Sequence, residues 1–189
     1  MVSVSLEHSF TRISSPCPTN DRKERDVMMY ARNLVKNYLD LQHVPYQHHV
    51  HSTAFTAQQL AAAERVSGTL VAKTVVVKAD GQFVMAVLPA SAKVDTAALK
   101  GALNARELEL ATEHEFQELF PDSDVGAMPP FGNLYNLPVC AEESLARDEE
   151  IVFNAGTHED AIRMRYSDFS RLVEPKICSF ALQRRRPEF

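Results

Sequence analysis

A chain of 189 residues with a formal net charge of -5 fits one domain with a sizeable core, and excludes the strongly basic surface of a protein that coats nucleic acid. Its hydrophobic share of 45% and charged share of 24% exclude wholesale disorder, and no apolar run approaches the roughly 20 residues of a membrane helix. Cys17, Cys140 and Cys178 are too scattered for a disulfide framework or a zinc ribbon, so they are read as reduced thiols. No basic n-region precedes an apolar h-region at the start, which makes the cytoplasm the simplest address.

Residues 1–25 mix Ser, Thr, Pro and charge without a period and read as a disordered leader. From Asp26, Val27, Tyr30, Ala31, Leu34, Val35, Tyr38 and Leu41 recur at helical spacing and predict an amphipathic helix ending before Pro45. "PYQHHVHS" reads as extended. "TAQQLAAAERV" reads as a second helix, capped by Thr56 and closed by Gly68. "VAKTVVVKADGQFVMAVLP" holds two β-rich runs around Asp80-Gly81, which suits a two-residue type I′ turn and sets Lys73 opposite Leu88. Both faces of this hairpin are largely apolar, which places it centrally in a sheet.

Asp95 or Thr96 starts a short helix through Leu103, and "ELELAT" reads as a strand. "TEHEFQELFP" reads as a helix with the capping-box spacing of Thr112 and Glu115. "DVGAMPPFGN" is a rigid loop, and "LPVCAE", "EIVFNAG" and "AIRMRY" are strands. Asp168 starts a brief helix before a last strand around "KICSFAL", and a basic tail spans residues 181–189. Strands and helices mix without regular βαβ alternation, so the fold class is α+β.

Lys73 is the odd residue on its strand face, which it shares with Val71, Val75 and Val77. An unpaired ammonium there would cost several kcal/mol, on the order of a large share of a domain's stability, so something must compensate it. Three elements could meet at one end of the sheet: Lys73, the loop from Gly126 to Gly132, and the turn Gly156-Thr157-His158. Glycines admit close backbone approach, prolines stiffen the walls, and the imidazole titrates near neutrality. Such a pocket suits an anionic or ester-bearing ligand. Each part has a plainer reading: a snorkelling lysine, an ordinary turn, a solvated connection. His43, His48, His49 and His51 offer two zinc ligands on one face and no evident third, and no H-E-x-x-H follows. No G-x-S-x-G elbow or recognisable Cys nucleophile is present.

The segments "HSTAFTAQQLAAAERV", "VAKTVVVK", "GAMPPFG" and "VFNAGTHEDAIRM", in that order, resemble the YbaK and prolyl-tRNA-synthetase-associated editing domains, over about residues 26–180. The resemblance implies an α+β domain whose mostly antiparallel, barrel-like central sheet is flanked by helices. It also implies hydrolysis of the ester joining a wrong amino acid, of small Ala, Cys or Ser type, to the 3′ end of a tRNA. The attacking water would be assisted by the tRNA's own hydroxyl, with no metal and no other cofactor.

By the same resemblance, Lys73 holds the terminal nucleotide, and Gly156, Thr157 and His158 complete the catalytic set. His51, Thr74, Gly126, Met128, Pro129, Pro130, Phe131 and Gly132 are the implied substrate-binding set. The implied partner is the acceptor end of an aminoacyl-tRNA, with an aminoacyl-tRNA synthetase as a further one and no membrane. Inserted editing domains often carry G-x-x-x-H, whereas this chain has Gly156-Thr157-His158, which leaves His158 either orienting substrate or capping the turn. A non-catalytic module that binds an aminoacyl or nucleotide-like ligand, or docks a synthetase, stays open as the alternative.

Overall fold

A computed structural model describes residues 34–182. The leader, the start of the first helical stripe and residues 183–189 of the tail lie outside the described residues. Helix α1 (Leu34–Leu41) buries Val35 and Leu39, an i, i+4 pair on one face, and strand β1 (Tyr46–Val50) follows. Helix α2 (Ala57–Ala63) opens on a full capping box, in which Thr56 Oγ1 accepts from the Gln59 amide and the Gln59 side chain accepts from the Thr56 amide. It ends earlier than Gly68. Arg65 takes a left-handed φ of 54°, which no continuing helix tolerates.

Strands β2 (Ala72–Ala79) and β3 (Gln82–Pro89) form the expected hairpin, with Asp80 at φ 49° and Gly81 at φ 81° as a type I′ turn demands. Lys73 pairs with Leu88, Val75 with Ala86 and Val77 with Val84. Strand β4 (Lys93–Val94) leads to α3 (Thr96–Leu103), whose Ala97 and Ala98 amides donate to the Asp95 carboxylate. Strand β5 (Leu108–Leu110) precedes α4 (Glu113–Phe116), which carries the Thr112–Glu115 capping box. Strands β6 (Val139–Glu142), β7 (Glu150–Asn154) and β8 (Asp160–Arg165) come next. Helix α5 (Tyr166–Val173) starts two residues before Asp168, with Arg165 at the N-cap position and no side-chain cap. The last expected strand is two, β9 (Lys176–Cys178) and β10 (Ala181–Leu182), in different sheets.

The five-stranded sheet has the order β5-β2-β3-β6-β9, so the hairpin is central to it, and a three-stranded sheet has the order β1-β8-β7. Strand β10 pairs with β4. Pairing is antiparallel except between β3 and β6 and between β6 and β9. The sheet is not closed into the barrel that the resemblance implied. A single bridge, Val71 to Val152, joins the two main sheets, and β2 and β7 form no ladder beyond it.

The main core fills the space between the sheets with Phe131, Phe153, Phe169, Met85 and Ile162. Burial of side chains this large stabilises by about 1.5–3 kcal/mol each. Helix α3 covers the other face of the hairpin through Leu99 against Val77, Val84, Ala86 and Leu88, and α2 packs Leu60 and Ala61 against Val71 and Val152. Cys140 of β6 and Cys178 of β9 stand with Cα atoms 6.4 Å apart, within the reach of a disulfide. They are 38 residues apart in the chain, and only the parallel pairing of β6 with β9 brings them together. Among the described residues no helix is long and apolar enough to cross a membrane.

Candidate functional site

The turn after β7 is tied to the glycine-proline loop by main-chain hydrogen bonds. The Gly156 amide donates to the Ala127 carbonyl at 3.1 Å, and the Asp124 amide donates to the Gly156 carbonyl at 2.8 Å. Gly156 has φ 101°, a left-handed conformation that favours glycine. His158 lies between the two segments, with Nδ1 3.1 Å from the Ala54 carbonyl and Nε2 3.1 Å from the Val125 carbonyl. Gly126 adjoins the imidazole, and its φ of 89° favours glycine, although a Cβ there would make only ordinary contact, 3.6 Å, with His158 Cε1. The Phe55 ring packs on the imidazole with centroids 5.0 Å apart.

This junction borders a cavity of about 550 Å³, lined by Thr53, Phe55, the segment 121–124 and the segment 156–160. Asp160 accepts from the Thr157 hydroxyl at 2.6 Å and faces His48 Nε2 at 2.5 Å. Burial, the largest influence on Asp160, raises its pKa, but Thr157, His48 and Lys36 together hold it below the usual carboxylate value. Glu159 accepts from the Thr53 hydroxyl at 2.8 Å. Asp122 is 9% exposed, and Tyr135 donates to its Oδ2 at 3.0 Å. Its Oδ1 is buried with no hydrogen-bond partner. Burial pushes the Asp122 carboxyl above its ordinary pKa, against the opposing hydrogen bonds from Tyr135, its own main chain and the Ser123 side chain.

The structure brings Gly156, Thr157 and His158 into the lining of this cavity and sets Gly126 beside His158. The Thr157 hydroxyl is engaged within the turn, also accepting from the Asp160 amide at 3.0 Å. His51 joins through its main chain, donating to the Glu159 carbonyl at 2.9 Å, while its Nε2 is buried without a partner. Met128, Pro129, Pro130, Phe131 and Gly132 are buried, with Phe131 wholly inside the core. A Cβ on Gly132 would stand 2.5 Å from both the Leu137 carbonyl oxygen and Val139 Cγ2, so close packing requires glycine there.

Lys73 does not line this cavity. Its Nζ donates to the Ala92 carbonyl at 2.6 Å and the Ala90 carbonyl at 3.4 Å, and Gln58 Nε2 also donates to Ala90 at 2.8 Å. Burial, followed by the nearby positive charge of Lys93, lowers the Lys73 pKa. Thr74 points to the opposite face of β2, and its Oγ1 is buried without a partner. The parallel bridge from Val71 to Val152 puts the start of β2 beside the strand that leads to Gly156. Lys73 and the cavity therefore lie toward the same end of the sheets.

Sequence reading passed over Asp122 and Asp160. "PDSD" reads as a polar turn, and only the packing of Tyr135 shows that one of its carboxylates is buried. Among the described residues no three His, Cys, Asp or Glu side chains are grouped as metal ligands. His49, on the strand beside the turn, faces Glu64 at 2.6 Å.

Residues 51–172 match the model of the aminoacyl-tRNA editing domain. A multifunctional Ser/Thr-tRNA deacylase, ProXp-y, from Escherichia coli is 31% identical over 127 residues, which cover 63% of this chain and 75% of the relative. A crystal structure of a candidate trans-editing enzyme for prolyl tRNA synthetase superposes with a TM-score of 0.70 at 20% identity, over 81% of this chain and 98% of that one. That of a hypothetical protein superposes with a TM-score of 0.72 at 17% identity, over 78% and 99%. At these identities the two structures establish the α+β fold, while the matched editing-domain model extends from His51 through most of α5. The chain belongs to the aminoacyl-tRNA editing domain family, whose members are deacylases.

Proposed function

We propose that the protein hydrolyses, in trans, the ester of a tRNA carrying a small wrong amino acid, and that the cavity beside Gly156 to His158 receives the aminoacyl group. The observation that carries this reading is the hydrogen-bonded junction of the 124–127 loop with the 156–158 turn at a cavity mouth, within the matched family segment. Water attacks the carbonyl carbon, the bond to the ribose oxygen breaks, and that oxygen leaves with a proton as the free hydroxyl. An ester needs little more than placement of the water and donors for the developing oxyanion. The amides of Gly156, Glu159 and Asp160 are spent inside the protein, which leaves those of Thr157 and His158 as the turn's remaining donors.

His158 acts as a positioning residue. Both ring nitrogens face carbonyls, and the one that carries the proton donates, which ties the turn to Ala54 or to Val125. Lys73 has three N–H donors, and two are directed to Ala90 and Ala92. The third, with Lys93 near by, supports a grip on the terminal phosphate or ribose. His51 and Thr74, with their unpartnered polar atoms, are proposed to meet substrate, and Gly126 to admit it. Met128, Pro129, Pro130, Phe131 and Gly132 support the wall from within the core. The reaction takes place in the cytoplasm, where charged tRNA is made, and a synthetase that releases the mischarged tRNA is the partner that supplies it. The E. coli relative adds threonyl esters to the Ala, Cys and Ser types.

The test is deacylation of alanyl-, cysteinyl-, seryl- and threonyl-tRNAs by wild type and by Lys73→Ala. Wild type should release the amino acid from at least one, and Lys73→Ala should slow that release about a hundredfold at unchanged secondary structure. No release from any of them by folded wild type would favour a binding module instead.

A further inference from the structure

The Thr157 hydroxyl has no hydrogen-bonding capacity left for a substrate. It accepts from the Asp160 amide at 3.0 Å and the Glu159 amide at 3.3 Å, and it donates to Asp160 Oδ2 at 2.6 Å. A hydroxyl has one proton and two lone pairs, so these three bonds saturate it. The Asp160 carboxylate is held on its other side as well, where Oδ1 faces His48 Nε2 at 2.5 Å across the antiparallel pair of β1 and β8. Asp160 is the first residue of β8, three positions after Thr157, and it therefore joins the turn to both strands of that pair. Without its carboxylate the Thr157 proton has no acceptor and the tie to His48 is gone.

What the turn leaves unspent is main chain. Thr157 and His158 both line the cavity, and among the described residues neither amide has a partner within the protein. Two consecutive free amides serve an oxyanion only while the peptide between them keeps one orientation, because such donors act by being in place before the charge develops. The Thr157 side chain is the anchor nearest to that peptide, and Asp160 is the acceptor that orients it. We infer that Asp160 is a positioning residue for the deacylation, acting through the Thr157 hydroxyl to hold the Thr157 and His158 amides in place, with His48 steadying its carboxylate. The inference rests on the editing reading above and adds two things to it. Thr157 acts through its main chain while its side chain serves the turn, and Asp160 and Thr157 work as one unit. In this role Asp160 touches no reacting atom.

The test is steady-state deacylation of the mischarged tRNA that wild type hydrolyses fastest, by Thr157→Ser, Thr157→Val, Asp160→Ala and the double variant of the last two. Each is assayed well below its melting temperature, where a merely structural role leaves kcat alone. Thr157→Ser keeps the hydroxyl and should stay close to the wild-type rate. Thr157→Val and Asp160→Ala should each lower kcat about tenfold or more with KM little changed, because an oxyanion donor acts on the transition state and not on the bound ester. The double variant should be no slower than the worse single one, as expected of two residues that act through one bond. Unchanged kcat in either single variant, a loss confined to KM, or losses that multiply in the double variant overturns the assignment. If Asp160→Ala does not fold, the contrast between Thr157→Ser and Thr157→Val decides alone. Folded wild type that releases no amino acid from any tRNA would sink the editing reading and this assignment together, whereas wild-type turnover that Asp160→Ala matches sinks this assignment only.

Discussion

Lys73 shows how a cation is held on an apolar strand face. Its stem runs along the hairpin, and its ammonium ends on the carbonyls of Ala90 and Ala92, which follow the partner strand. Desolvation and Lys93 both favour the neutral amine, so its pKa in the folded protein lies below the ordinary 10.5. Between that depressed value and 10.5 the unfolded chain binds more protons, and stability from this group therefore rises with pH. Urea unfolding from neutral pH to 10.5 should show wild type gaining on Lys73→Met across the upper part of that range. A constant difference between the two would mean that the amine is as well solvated as in the unfolded chain. Deacylation, which needs the cation, should fall over the same window, so activity and stability move in opposite directions.

At the scale of elements, the hairpin turn does more than reverse the chain. Asp80 Oδ1 accepts from the Arg106 and Glu107 amides at 2.9 and 2.8 Å, and the Asp80 amide donates to the Glu107 carbonyl at 3.1 Å. One turn residue thus fixes both the β2–β3 register and the entry to β5. Asp80→Ala loses two acceptor contacts and places alanine in a left-handed conformation, and should cost about 1–3 kcal/mol in urea unfolding. Asp80→Asn, which tolerates that conformation and keeps an acceptor, should lose less. An unchanged midpoint in Asp80→Ala would show that the anchor contributes nothing.

The "ADG" pattern predicts this turn, because few residues besides Gly, Asn and Asp accept positive φ there. It does not reveal the partner at residues 106 and 107. That bond depends on β5 arriving beside β2. The end of α2 falls short of Gly68 because Arg65 adopts the left-handed conformation that the sequence suggests for glycine.

For the whole molecule, the net charge of -5 argues against a strongly basic surface, and the cavity lining carries no lysine or arginine to meet a phosphate. Lys73 and Lys93 are the cations proposed to meet the single-stranded acceptor end. With about two phosphates neutralised, the logarithm of tRNA affinity should fall against the logarithm of salt concentration with a slope of about -1.4. Titration of a non-hydrolysable aminoacyl-tRNA at several salt concentrations measures it. A slope several times steeper would show that the protein grips the tRNA body as well.

Local chemistry made much of this chain legible in its sequence. The capping boxes at Thr56 and Thr112, the Asp95 cap, the central hairpin with its register, the α+β class and the family motifs all depend on residues near one another in the chain. Tertiary structure alone decided the rest. It left the sheets short of a barrel because β2 and β7 share one bridge, brought Cys140 close to Cys178 by setting β9 beside β6, and sank most of the "AMPPFG" loop into the core. It also turned Lys73 onto carbonyls and left Asp122 Oδ1 buried without a donor. Each of these outcomes depends on which distant segments meet. Pattern and propensity describe a residue's neighbours along the chain, whereas burial and partnership are set by its neighbours across the fold.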